Sequence, residues 1–129
     1  MIAEGEPLRP TNAEIEAAAA RLDFPFHPDF RAFLQSGGNV GDAGYDAGVI
    51  ARGAPPYLDL FEIAKRAWEI AGLSRDLLPF IHDNADYFCL TRQGGVVFWS
   101  HNGAVHETWN TFAEWYQQVC VDEPAQRER

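Results

Sequence analysis

Three histidines and two aspartates in the second half of the chain carry side chains that can transfer protons or bind a metal ion. These residues are His82, Asp83, Asp86, His101 and His106. They fall in turns or at the ends of predicted strands, where binding and catalytic residues are often found. His82, Asp86 and His106 could ligate one metal ion if their strands align, because imidazole nitrogens and carboxylate oxygens are common zinc ligands. Such an arrangement would suit a small metal-dependent or hydrolytic enzyme.

The spacing of these residues matches no established catalytic or metal-binding motif. The sequence contains no HExxH and no CxxC pair, and its serines lie in no GxSxG motif. Aspartate and asparagine in turns usually accept hydrogen bonds from nearby backbone, and exposed turn carboxylates are poor general acids near neutral pH. We therefore predict no catalytic residue, no metal site and no cofactor, and the enzyme is kept as an alternative.

The same half of the chain places aromatic residues beside acidic ones. Tryptophan is enriched where protein interfaces concentrate their binding energy, although core packing is the alternative for each aromatic residue. An acidic rim around exposed aromatic rings would suit an arginine-rich partner through cation–π contacts and charge pairing. The candidate partner-binding residues are Asp83, Asp86, Tyr87, Trp99, Glu107 and Trp109.

Charge is distributed unevenly along the chain. The formal net charge is −9, and residues 77–126 contain six acidic residues and a single basic one, Arg92. Nucleic acid is a poor partner for such a surface, because its binding depends on Lys and Arg neutralising phosphates. The acidic residues either keep the surface soluble or steer a basic protein into contact.

Four segments carry the apolar periodicity of helices together with signals for where helices start and stop. Thr11 and Glu14 match a capping box, and Pro28 suits the first turn of a helix. Glycine favours helix ends, so Gly37 and Gly72 mark two of them. The predicted helices are Asn12–Leu22, a second from Pro28 to the Gly-Gly pair at 37–38, a third over 59–71, and a closing helix from Thr111.

Short runs of Val, Ile, Phe, Tyr and Trp after residue 78 are separated by turn sequences. Asp-Asn, Gln-Gly-Gly and His-Asn-Gly tolerate the positive φ angles of tight hairpins, so the pattern predicts an antiparallel meander. The predicted strands are 80–82, 87–91, 96–99 and 104–107, preceded by two brief strands at 48–51 and 57–58. The second and third strands of the meander are apolar throughout. We expect them to be covered on both faces, or else to expose an aromatic patch.

Helices first, a sheet after them and one closing helix predict an α+β fold, with helices packed mainly on one face of the antiparallel sheet. We expect a single domain over 11–121, a loose lead-in at 1–10 and a polar tail at 122–129. No apolar run approaches the roughly 18 residues of a membrane span, and the first residues lack the pattern of a secretion signal. Cys89 and Cys120 lie in apolar runs and are expected to be buried, reduced thiols. These features predict a cytoplasmic protein.

Several segments together resemble the SUKH superfamily. Residues 28–34, Pro-Asp-Phe-Arg-Ala-Phe-Leu, followed by Gly-Gly-Asn at 37–39, are similar to its "Leu-Pro-x-x-(Tyr/Phe)-x-x-Phe-Leu…Asn-Gly" segment. Residues 78–90, Leu-Pro-Phe-Ile-His-Asp-Asn-Ala-Asp-Tyr-Phe-Cys-Leu, resemble its central hairpin, with Asn-Ala where Gly-Gly is typical. Val-Phe-Trp at 97–99 and Thr-Phe-Ala-Glu-Trp at 111–115 resemble its next strand and closing helix.

The resemblance implies a function in protein–protein recognition without catalysis or a cofactor. The family contains fungal cell-wall synthesis regulators and bacterial immunity proteins that neutralise toxins, often nucleases, by binding them. Together with the acidic charge of the chain, the resemblance predicts an immunity protein that covers a basic toxin, or a regulatory scaffold of the same fold with another client. The sequence does not indicate an oligomeric state.

Overall fold

Four antiparallel strands in chain order form the sheet of this computed structural model. The structure describes residues 9–51, 53–102 and 105–122, and only the backbone of Asp42, Val105 and His106. Most of the predicted lead-in and tail therefore lies outside the described residues. The strands are β1 (Leu77–Asp83), β2 (Asp86–Thr91), β3 (Val96–Trp99) and β4 (Val105–Trp109). The order β1-β2-β3-β4 confirms the predicted meander and makes β4 an edge strand of the sheet.

Two strand boundaries differ from the prediction by more than one residue. β1 starts at Leu77, three residues before the predicted start, and so contains Pro79. Proline cannot donate a ladder hydrogen bond, but the β1–β2 pairing shifts register between Pro79 and Ile81, and such irregularities are where strands tolerate proline. β4 runs on to Trp109, two residues beyond its predicted end, while its predicted first residue, Ala104, lies outside the described residues.

The helices begin within one residue of their predicted starts. The Thr11 hydroxyl accepts the Glu14 N–H at 3.1 Å and the Glu14 carboxylate accepts the Thr11 N–H at 2.8 Å, which forms the predicted capping box. Asp59 and Thr111 cap the third and fourth helices through their side chains. The helices are α1 (Asn12–Leu22), α2 (Pro28–Gln35), α3 (Leu60–Arg66, continued by the π-helical turn Ala67–Ala71) and α4 (Phe112–Trp115, continued by the π-helical segment Tyr116–Asp122).

The two brief strands predicted before α3 are not formed as such. Residues 57–58 lie in the 3₁₀ turn Pro56–Leu58, because consecutive prolines at 55 and 56 fix φ near −65° and favour a tight turn. The segment around residue 48 makes only two isolated bridges, Ala47 with Ile81 and Val49 with Asp59. The first of these bridges lies against β1 and covers part of that edge of the sheet.

Successive residues of β2 and β3 point to opposite faces of the sheet and enter two separate apolar clusters. The large cluster lies under α1, α2 and α4 and includes Phe30, Phe80, Phe88 and Trp115, all fully buried. The small cluster lies beside α3 and consists of Ile63, Ala67, Leu73, Tyr87, Cys89, Val97 and Trp99. The central strands are therefore covered on both faces, as expected, and the fold is α+β. None of the described helices is both long and apolar enough to cross a membrane.

Candidate functional site

The histidines and aspartates at the hairpin ends bond to their immediate neighbours. The Nε2 atom of His82 accepts the backbone N–H of Ala85 at 3.1 Å, and the His82 ring stacks on Tyr87 with centroids 4.7 Å apart. The Oδ1 atom of Asp86 accepts the backbone N–H of His101 at 2.8 Å and lies 3.0 Å from its Nδ1 atom. These contacts hold the β1–β2 and β3–β4 turns together at one end of the sheet.

The described residues do not form the hypothetical metal site of His82, Asp86 and His106. His82 stacks on Tyr87, whereas Asp86 precedes Tyr87 in the same strand and therefore points to the opposite face. The side chain of His106 lies outside the described residues. Within the part of the chain that the structure describes, no group of three His, Cys, Asp or Glu side chains could hold a metal ion.

Both cysteines are buried free thiols, as predicted. Burial raises the pKa of the Cys89 thiol, and it raises the pKa of Cys120 to about 12. A thiol must ionise to act as a nucleophile, so neither residue is activated at neutral pH.

The structure divides the six candidate partner-binding residues between the two faces of the sheet. Tyr87 and Trp99 enter the small cluster and are only 5% and 9% exposed. Glu107 lies opposite Phe98 and Trp109 lies opposite Val96, so both belong to the face of the large cluster. Asp83 and Asp86 face each other across the β1–β2 turn.

An aromatic group forms around Phe88 on the face of the large cluster. The Phe88 ring centroid lies 5.3 Å from that of Tyr45, 4.8 Å from that of Phe98 and 6.0 Å from that of Trp109. Phe88 is fully buried, whereas Tyr45, Phe98 and Trp109 are half-buried. The Trp109 indole N–H donates to the Gln118 Oε1 atom at 2.7 Å, which fixes the ring orientation.

Two carboxylates border this aromatic group. Asp86 precedes Phe88 by two residues in β2, and Glu107 is the cross-strand neighbour of Phe98, so both share its face. We call Tyr45, Asp86, Phe98, Glu107 and Trp109 the acidic–aromatic surface. Sequence reasoning identified Asp86, Glu107 and Trp109 but missed the other two. Phe98 could have been found from strand alternation, whereas Tyr45 comes from the glycine-rich loop after α2 and has no local signal.

Arg92, the one Lys or Arg in residues 77–122, contacts residues outside this surface. Arg92 pairs with Asp76 at 3.3 Å and donates to the backbone oxygens of Asp23 and Arg75. Its guanidinium also lies 4.7 Å from the centroid of the Phe24 ring. These contacts give Arg92 a structural role in joining β2 to the end of α1, and residues 77–122 contain no other Lys or Arg.

Two of the concave sites that the described residues form are larger than about 300 Å³. The larger one, about 440 Å³, is an apolar groove between α2 and α4 with Phe33, Phe112 and Tyr116 in its walls. The Asp29 carboxylate in this groove accepts the N–H groups of Phe30 and Ala113, which ties α2 to α4. The second, about 330 Å³, lies between α3 and the β1–β2 hairpin and is called the α3 pocket. It is lined by Pro56, Tyr57, Ile63, Arg66, His82 and Tyr87.

Comparison with known proteins gives a family and a fold. The SUKH_5 family, described as SMI1-KNR4 cell-wall, matches residues 2–121. The fold is similar to the crystal structure of a protein from Pseudomonas syringae pv. tomato, with a TM-score of 0.74 and 21% sequence identity over 94% of this chain and 88% of that chain. No curated protein matches the chain significantly. At this identity, the likeness to the solved structure supports the fold alone.

Proposed function

The chain belongs to the SUKH_5 family, described as SMI1-KNR4 cell-wall, and on this premise we propose that it is a protein-binding module that docks onto a basic protein. The proposed partner is a toxin domain, which this chain would neutralise by covering it. A nuclease domain is the first partner to test, because a surface that binds nucleic acid is itself rich in Lys and Arg. The proposed location is the cytoplasm, which suits two reduced thiols.

The observation that carries this proposal is the acidic–aromatic surface. Half-buried rings are already ordered by packing on Phe88, so their contact with a partner costs little side-chain entropy. Trp and Tyr are the residue types that most often anchor interfaces. Arginine side chains could stack on these rings and pair with the carboxylates of Asp86 and Glu107.

The position of β4 adds a second way to make contact. β4 is the last strand of the sheet order and carries Glu107 and Trp109. An edge strand can extend its backbone ladder to a segment of another protein, while its side chains select the partner. The same surface would serve a regulatory scaffold with a different client, so the identity of the partner distinguishes the two alternatives.

A capture experiment tests the proposal with a matched pair of variants. Tagged wild-type protein, Tyr45→Ala and Tyr57→Ala are used to retain partners from the native lysate, and any candidate toxin is then expressed with each form. Tyr45 belongs to the acidic–aromatic surface, whereas Tyr57 is 65% exposed on α3's side of the sheet and serves as the control. We expect wild type and Tyr57→Ala to retain a basic protein and protect growth, and Tyr45→Ala to do neither. Equal retention and protection by Tyr45→Ala would contradict the proposed surface, and retention of an acidic protein would contradict the proposed partner.

A further inference from the structure

The α3 pocket differs chemically from the rest of this acidic protein. Ile63 and Tyr87, each 5% exposed, form its floor, and Tyr57 and Arg66 stand at its rim. Pro56 and the His82 ring, which stacks on Tyr87, complete flat walls. Its volume of about 330 Å³ is within the range of small-molecule sites, at the lower end.

The polar groups of the pocket are hydrogen-bond donors. Because His82 Nε2 accepts the Ala85 N–H, the hydrogen of the neutral ring lies on Nδ1. Tyr57 and Tyr87 contribute hydroxyls, and Arg66 contributes the only positive charge, apart from histidine, among the described residues that line the pocket. Burial raises the pKa of the Tyr87 hydroxyl, and the positive charge of Arg66, which lines the same pocket, acts in the opposite direction.

The Arg66 guanidinium keeps capacity for a ligand. Among the described residues it makes no hydrogen bond and a single ion pair, from its Nε atom to the Glu62 carboxylate at 3.7 Å. An exposed pair of this length is weak. A guanidinium offers a planar pair of donors that matches a carboxylate, and the neighbouring Glu62 repels a doubly charged phosphate more strongly than a singly charged carboxylate.

We infer that the α3 pocket is a binding site for a small carboxylic acid with a flat apolar body, such as an aromatic carboxylate. Arg66 binds the carboxylate, the hydroxyls of Tyr57 and Tyr87 and the Nδ1–H of His82 supply further donors, and the flat walls hold the ring. The site lies on the other face of the sheet from the acidic–aromatic surface. Its occupation therefore does not depend on the proposed protein partner.

Titration of the isolated protein with benzoate, followed by amide chemical shifts, tests this inference without any partner. We expect shifts confined to Tyr57, Ile63, Arg66, His82 and Tyr87, with a Kd of about 1 mM for so small a ligand. Benzamide, which has the same shape without the charge, should bind at least fivefold more weakly. Shifts spread over other Lys and Arg residues, or equal binding of benzamide, would overturn the inference.

Two variants of adjacent residues separate a specific site from general charge attraction. Arg66→Gln should weaken benzoate binding at least fivefold, whereas Lys65→Gln removes the same charge from an exposed residue outside the pocket and should leave binding unchanged. Equal weakening by both variants would overturn the site.

The α-amide of N-acetylglutamic acid tests the other source of a carboxylate, an acidic side chain of a protein. Binding as tight as that of benzoate would overturn the assignment to a free aromatic acid.

Discussion

The two faces of one sheet have different cores and different surfaces. The face under α1, α2 and α4 packs interlocking aromatic rings and carries Asp86 and Glu107 at its margin. The face beside α3 packs a smaller cluster and leads to a pocket with Arg66 at its rim. Adjacent residues such as Asp86 and Tyr87 contribute to different faces, because successive side chains of a strand point to opposite sides of the sheet. The meander therefore contributes to both an acidic surface, which the Tyr45 loop completes, and a donor-rich pocket, which α3 and the turn before it complete.

The largest effect should come from breaking the large cluster at Phe88. Its ring contacts Tyr45, Phe98, Trp109 and Trp115, so Phe88→Ala should lower the free energy of unfolding by about 3–5 kcal/mol. Phe98→Ala is the control, because Phe98 is already partly exposed and should cost about 1–2 kcal/mol. Urea denaturation measures both values. Equal losses of unfolding free energy for the two variants would show that Phe88 is no more important to the packing of the large cluster than Phe98.

A pair of adjacent valines compares the two clusters directly. Val96 is fully buried in the large cluster and Val97 is 9% exposed in the small one. Val96→Ala should lower the free energy of unfolding by about 2 kcal/mol and Val97→Ala by about 1 kcal/mol. The loss is greater at Val96 because truncating a fully buried side chain leaves the larger cavity. Thermal or urea unfolding of both proteins gives the comparison. A greater loss for Val97→Ala would reverse the ranking of the two clusters.

Alkaline pH should lower the stability of the protein through Cys120, which is buried in the large cluster. Burial raises the pKa of this thiol to about 12, so the unfolded chain ionises first as the pH rises above about 9. Stability from the neutral thiol is complete below pH 9 and is lost between about 9 and 12. The decline of unfolding free energy from pH 8.5 to 10.5 should be shallower in Cys120→Ala than in wild type. Identical slopes would show that the folded and unfolded thiols ionise alike.

The smallest effect concerns the turn that holds His82 and Asp86. Asn84 and Ala85 have φ angles of 51° and 74°, which asparagine tolerates and alanine does not. Ala85→Gly should relieve this strain and raise the unfolding free energy by about 0.5–1 kcal/mol. Asn84→Gly is the control and should change stability less. A loss of stability in Ala85→Gly would mean that glycine's greater freedom in the unfolded chain outweighs the strain.

Local sequence signals predicted most of the fold. The capping box at Thr11, the proline at the start of α2 and the turn residues between apolar runs located helices and the meander because each signal acts on backbone groups within a few residues. The errors at Pro79 and at residues 57–58 arose where tertiary pairing or consecutive prolines overrode the expected conformation.

The candidate site was less predictable, because it depends on contacts between distant segments. Strand alternation could have shown that Trp99 and Phe98 lie on opposite faces, whereas placing Tyr87 with Trp99 and Glu107 with Phe98 also needs the register between strands. The contribution of Tyr45 could not be read from its loop, since it packs on Phe88 from 43 residues away in the chain. The same holds for Arg66 and His82, which meet only where α3 lies beside the hairpin.

The most direct test of the account is the salt dependence of binding to the captured partner by wild type, Glu107→Lys and Glu69→Lys. Both variants change the net charge equally. Glu107 belongs to the acidic–aromatic surface, whereas Glu69 is exposed on the π-helical turn that continues α3. We predict that wild-type affinity falls as salt rises, that Glu107→Lys weakens low-salt binding about tenfold or more with a shallower salt slope, and that Glu69→Lys changes it at most about twofold. Salt-independent binding, or equal losses in the two variants, would contradict the claim that this chain acts by docking its acidic–aromatic surface onto a basic protein.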